Sequence, residues 1–334
     1  MKVADMHCDT ISEIYKRREK GEEISLRSSL LHVDLEKMRR GDYGIQNFAL
    51  YTSLEREKKP FEYAMLLADT FYEEIEKNQD LIGAVRSWAD IEANWKQGRM
   101  SAMLTLEEGG VCQGRLEYLR DFYRLGVRML TLTWNFPNEL GFPNHINRSG
   151  AAIMGMPDTE NGLTETGICF VEEMERLGMI VDVSHLSDAG FRDVLAHTTK
   201  PFVASHSNAR ALVPCCPRDL TDDMIRQLGE RGGVAGINYC TDFLRSPDSW
   251  GPGETKQSRT EDMVRHMKHM KQVGGIGCIG LGSDFDGIGG CLEIRDASCM
   301  PLLEREMRRQ GFEESEIEAV FYKNVLRVYK EVLK

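Results

Sequence analysis

His7 and Asp9 stand two residues apart in the run Asp5-Met6-His7-Cys8-Asp9, near the start of the sequence. In an extended segment such residues project to the same side, so the pair can grip one cation together. His185 closes an apolar run that begins at Met179, and His206 closes a second that begins at Pro201. Glu108 lies in Glu107-Glu108-Gly109-Gly110, just after the apolar Met103–Leu106, and Asp284 closes Cys278–Asp284. Imidazoles and carboxylates are the donors of zinc and similar borderline divalent metals. Three histidines and three carboxylates exceed what one tetrahedral ion needs, which points to two ions sharing a carboxylate, with Glu108 expected as the bridge. Such a pair lowers the pKa of bound water to about 7 and so makes a nucleophile at neutral pH. Asp284, not needed as a ligand, is expected to act as general base and pass the proton to the leaving group. Taken singly these signals are weak, because a histidine at a strand end is usually a hydrogen-bonded structural residue.

The elements that must position these groups are eight short apolar segments: Lys2–Cys8, Tyr43–Tyr51, Met103–Leu106, Val127–Thr133, Met179–His185, Pro201–His206, Gly233–Tyr239 and Cys278–Asp284. Helical patterns separate most of them. Ala64, Leu67, Phe71 and Ile75 share one face of Phe61–Asn78, and Ser187 and Asp188 are suitable N-caps for a helix over Ala189–His197. Strands alternating with helices pair in parallel, so the expected fold is a single (β/α)₈ barrel domain over residues 1–334, with a doubly wound sheet as the alternative. In a barrel, chemistry sits at the C-terminal ends of the strands, and that rim gathers all six candidates. The long Pro- and Gly-containing segment Phe136–Leu163 is expected to form a lid over it or a dimer contact.

Composition narrows the function classes. A formal charge of −11 argues against a nucleic-acid binder, which would carry a basic face. No secretory leader pattern and no apolar run of membrane-spanning length is visible, so no membrane partner is expected. Nine scattered cysteines without a C-x-x-C pair fit a reduced cytoplasmic protein.

The runs DMHCDT, LEEGG, RMLTLTWN, VDVSHLS, VASHSNARAL, PRDL, GSDFDG and KNVLRVY together resemble the zinc-dependent membrane (renal) dipeptidase family of amidohydrolase-type barrels, and more closely its soluble bacterial members. The resemblance runs through nearly the whole chain. It implies a dinuclear zinc dipeptidase, with His7 and Asp9 on one Zn²⁺, His185 and His206 on the other, and Glu108 bridging. It further implies a metal-bridged hydroxide that attacks the carbonyl, with Asp284 as proton shuttle. Arg218, in PRDL, would receive the C-terminal carboxylate of a small dipeptide, L,D-dipeptides included, and the family suggests a homodimer. Two places depart from the family pattern. Trp134 stands where many members have a histidine after LTLT, and His145 is a candidate replacement; GINYC differs from the tyrosine pattern of animal members. Rival readings are a metal hydrolase of N-acyl amino acids or phosphoesters, and a metal-stabilised scaffold without activity.

Overall fold

The computed structural model describes residues 2–147, 154–251 and 253–334. Its main sheet contains nine strands: β1 Val3–Asp5, β2 Tyr43–Tyr51, β3 Ile82–Val85, β4 Met100–Glu107, β5 Met129–Thr131, β6 Ile180–Asp182, β7 Val203–Ala204, β8 Val234–Ile237 and β9 Ile279–Leu281. Eight of them close into a ring of parallel pairs in the order β1-β2-β4-β5-β6-β7-β8-β9, and Asp5 opposite Leu281 completes the circle. The expected (β/α)₈ barrel is therefore the fold. β3 joins from outside, pairing with the first half of β4 from Ile82–Met100 to Val85–Met103. Neither this strand nor the helix Trp88–Lys96 behind it is among the elements expected from the sequence.

Local chemistry explains where the helices start. Ser187 accepts a hydrogen bond from the Gly190 N–H at the head of Asp188–His197, and Thr164 does the same for Gly167 before Glu165–Leu177. The sheet splits its side chains by alternation. Along β4, Met103 joins the inner core with Ala4, Met6, Ile45 and Met129, while Leu104 and Leu106 join the outer core under the helices. The C-terminal helix, Asn324–Val332, packs Val325, Val328 and Tyr329 onto that inner core, next to the first residues of several strands. It thereby plugs the end of the barrel opposite the rim.

The rim itself is built from irregular chain. Most ring strands stop two or three residues before the expected ends, so His185, His206 and Asp284 lie beyond β6, β7 and β9. Within the long Phe136–Leu163 segment, His145–Asn147 and Met154–Met156 form an antiparallel hairpin, and residues 148–153 lie outside the described residues. Among the described residues, no helix is long and apolar enough to cross a membrane.

Candidate active site

Two buried aspartates fix the strand ends. The Asp5 carboxylate accepts the backbone N–H groups of His7 and Ser283, which ties the exit of β1 to that of β9. The Asp182 carboxylate accepts those of Ser184 and Ser205, and also the hydroxyls of Thr131 and Ser205, which ties β5, β6 and β7 together. Asp182 is not among the residues the sequence singles out, although its place two residues before Ser184 matches that of Asp5 before His7. Beyond these clamps, His185 (φ 71°) and Asp284 (φ 61°) both adopt the left-handed backbone region, which is costly for residues other than glycine.

The result is a cluster around the His7 imidazole. Its Nε2 lies 3.3 Å from Glu107 Oε2, 3.6 Å from Asp9 Oδ2 and 3.8 Å from Asp284 Oδ1. Burial opposes a charge on His7, yet the carboxylates of Glu107 and Asp9 outweigh it and raise its pKa well above the usual histidine range. Across the cluster, Glu107 Oε1 lies 3.2 Å from His185 Nε2 and 3.8 Å from His206 Nε2. Glu107 thus faces all three histidines.

Glu108 does not, and the geometry corrects the expectation that it bridges. It has φ 95°, and its side chain turns away from the histidines to accept hydrogen bonds from the Gly110 and Trp134 N–H groups and from Asn138 Nδ2. Burial pushes its pKa up to about 7, against the pull of those donors. The physical reason is the two-residue period of β4. Glu107 shares the inward face with Met103, whereas Glu108 follows the outward parity of Leu104 and Leu106.

Hydrogen bonding settles which nitrogens face the cleft. His185 Nδ1 lies 2.8 Å from Asn135 Oδ1, and His206 Nδ1 lies 2.7 Å from Ser205 Oγ, whose own hydroxyl donates to Asp182. Both Nδ1 atoms therefore carry the proton, and both Nε2 atoms present lone pairs. Those two nitrogens are 3.0 Å apart. Burial, then the neighbouring His7, Arg218 and His185, hold the His206 pKa well below its usual value, so it is neutral. His7 Nε2 and Asp9 Oδ1 are buried with no hydrogen-bond partner. Buried donors and acceptors are normally paired, so these groups gathered beside carboxylates fit a divalent cation. Two overlapping groups within coordinating reach, His7–Glu107–His206 and His7–Asp9–Asp284, agree with this.

The cluster floors a cleft of about 290 Å³, small for a ligand pocket. Asp284 Oδ2 accepts from Asn238 Nδ2 at 2.9 Å, leaving Oδ1 toward His7. Burial raises its pKa to about 7; His7 opposes, while Asp9 and Glu107 add to it. Gly287 packs so close that an added Cβ would strike the carboxylates of both Asp9 and Asp284. Arg218 is buried and lines the cleft, its fork donating to Ser207 Oγ and the His206 carbonyl, while its Nε has no partner. Trp134 lines the opposite side of His185, with its ring 5.0 Å from Tyr51 and 6.1 Å from His185. His145 is not part of the cleft: its side chain is 72% exposed and 3.5 Å from Asp158.

A parallel barrel with imidazoles and carboxylates gathered at the C-terminal rim is the architecture of metal-dependent hydrolases. The model of the membrane dipeptidase family (peptidase family M19) matches residues 1–334, and the chain belongs to that family. It is a metal-dependent dipeptidase. An uncharacterized dipeptidase of Schizosaccharomyces pombe is 33% identical over 312 residues, 90% of this chain and 72% of its own length. An uncharacterized Klebsiella pneumoniae protein from the pqqA 5′ region is 36% identical over 246 residues, 74% of this chain and 87% of its own. Among solved structures, the metallopeptidase dipeptidase AC superposes with a TM-score of 0.89 at 28% identity, covering 100% of this chain and 99% of that one. A Rhodobacter sphaeroides metallopeptidase, bound to a phosphinate mimic of the dipeptide L-Ala-D-Ala, superposes with 0.88 at 27% identity, covering 99% of each.

Proposed function

We propose that this protein is a dinuclear zinc dipeptidase that hydrolyses small dipeptides with a free C-terminal carboxylate, L,D-dipeptides among them. The observation that carries the reading is the convergence of the imidazole and carboxylate groups of His7, Asp9, Glu107, His185 and His206 on one buried point. His7 and Asp9 would hold one ion, His185 and His206 the other, with Glu107 shared between them. Three imidazoles with carboxylates and no thiolate favour zinc. When bound, the pair would acidify water and polarise the scissile carbonyl.

The protein's own groups do the rest. The Arg218 guanidinium, held by Ser207 and the His206 carbonyl, offers its remaining N–H to the substrate's terminal carboxylate. Asp284, oriented by Asn238, takes a proton from the attacking water at Oδ1 and returns it to the departing nitrogen. Trp134 walls the cleft with a flat apolar surface that limits side-chain size. The Rhodobacter relative's L-Ala-D-Ala mimic supports an L,D substrate. A homodimer and a cytoplasmic location belong to the same proposal, open to light scattering and cell fractionation.

A panel of L,L- and L,D-dipeptides, N-acyl amino acids and phosphoesters, assayed after chelation and zinc addition, tests the reading. Release of free amino acids from the dipeptides is expected. Turnover of phosphoesters or N-acyl amino acids without dipeptide cleavage would refute it.

A further inference from the structure

The cleft carries positive charge at two places. One is Arg218. The other is the pair Lys16, on the helix Thr10–Glu19 that follows β1, and Arg56, just beyond the end of β2. Tyr51, the last residue of β2, lies with them, and Lys16 Nζ sits 5.6 Å from the centroid of its ring. Among the described residues no carboxylate lies within ion-pair distance of either cation.

Ring order says how the two charges relate. In the sequence β1-β2-β4-β5-β6-β7-β8-β9, β2 is second and β7 sixth, so they stand across the barrel from each other. Arg218 belongs to the chain after β7, while Arg56 follows β2 and Lys16 follows β1. The histidine and carboxylate cluster lies between. A dipeptide with its terminal carboxylate on Arg218 and its amide over the cluster extends its N-terminal residue toward Lys16 and Arg56. Lys16 and Arg56 there repel a basic side chain and attract an acidic one.

We propose that Lys16 and Arg56 form a subsite for an acidic N-terminal residue, making Asp-X and Glu-X dipeptides the preferred substrates. The inference rests on the dipeptidase reading and on the direction Arg218 gives the substrate. It is tested by comparing kcat/KM for Glu-Ala, Gln-Ala, Lys-Ala, Ala-Glu and Ala-Gln with the zinc-loaded enzyme. Glu-Ala should exceed its isostere Gln-Ala by roughly five- to tenfold, chiefly through KM, with the margin shrinking as salt is added. In K16Q/R56Q the Glu-Ala to Gln-Ala ratio should fall to about one, and in K16E/R56E Lys-Ala should overtake Glu-Ala. Equal use of Glu-Ala and Gln-Ala by the wild type would overturn the subsite while leaving the dipeptidase intact. So would a preference that survives K16Q/R56Q, or one for Ala-Glu over Ala-Gln that depends on these cations. If no dipeptide is cleaved, both readings fall together.

Discussion

Glu107 and Glu108 are neighbours in the chain, yet their carboxylates serve opposite sides of one strand end. Glu107 lies 3.3 Å from His7 Nε2 and 3.2 Å from His185 Nε2. Glu108 binds the Gly110 and Trp134 N–H groups and Asn138, and so holds the turn that aims Glu107.

The pair therefore separates on substitution. Glu107→Gln should reduce bound metal from two equivalents to one or none and abolish most dipeptide turnover. Glu108→Gln should still bind metal, but it sets an amide against buried donors and should lower stability by about 1–3 kcal/mol. Metal analysis and urea unfolding of both variants check this. Full metal content in Glu107→Gln would remove it from the ligand set.

Asp284→Asn preserves shape and the Asn238 contact while removing the proton acceptor. Turnover should fall by roughly 10²–10⁴-fold with KM little changed. A near-normal kcat would exclude Asp284 from proton transfer.

If Arg218 receives the substrate carboxylate, amidated dipeptides should be cleaved poorly by the wild type, and Arg218→Lys should raise KM for free acids because a point charge replaces the fork. Equal cleavage of free-acid and amidated dipeptides would assign Arg218 to a structural role instead.

His266 links stability to pH. It is fully buried, with Nδ1 accepting from the Ala209 N–H and Nε2 facing the Leu244 carbonyl, so only the neutral ring fits. Burial lowers its pKa to about 4, against the opposing Leu244 carbonyl, with Arg265 and His269 adding to the lowering. A lowered folded-state pKa means its contribution is complete above the unfolded value, about 6.5, and is lost as pH falls toward 4. Unfolding of metal-free protein should thus lose up to about 1.4 kcal/mol per pH unit across that window from this group, and H266Q should flatten the slope accordingly. An unchanged slope in the variant would contradict the assignment.

The barrel was legible because eight apolar segments alternate with helical patterns, each fitting its own period. β3 escaped because Ile82-Gly83-Ala84-Val85 is four residues long, holds a glycine and pairs outside the ring. His7, Asp9, His185, His206 and Asp284 come together on irregular chain just beyond the strand ends rather than on the strands themselves. Glu108 misleads when the strand is ended at Leu106, although continued alternation from Met103 points Glu107 inward. The same alternation fails for His185, since Ile180 faces inward and parity would send residue 185 out; its left-handed φ of 71° brings it back. Residue spacing did not point to Arg218's place in the cleft, because its burial depends on a loop tied to His266 through Ala209 and to Asp219 through Asn208.

The central claim is that five residues hold two ions which act together on a dipeptide. Chelated protein can be titrated with zinc while hydrolysis of a free-acid dipeptide and bound metal are followed in parallel. The account predicts activity that reaches its plateau only with the second equivalent, and no plateau above background in Glu107→Gln. Full activity at one equivalent, or two bound equivalents without dipeptide cleavage, would contradict it.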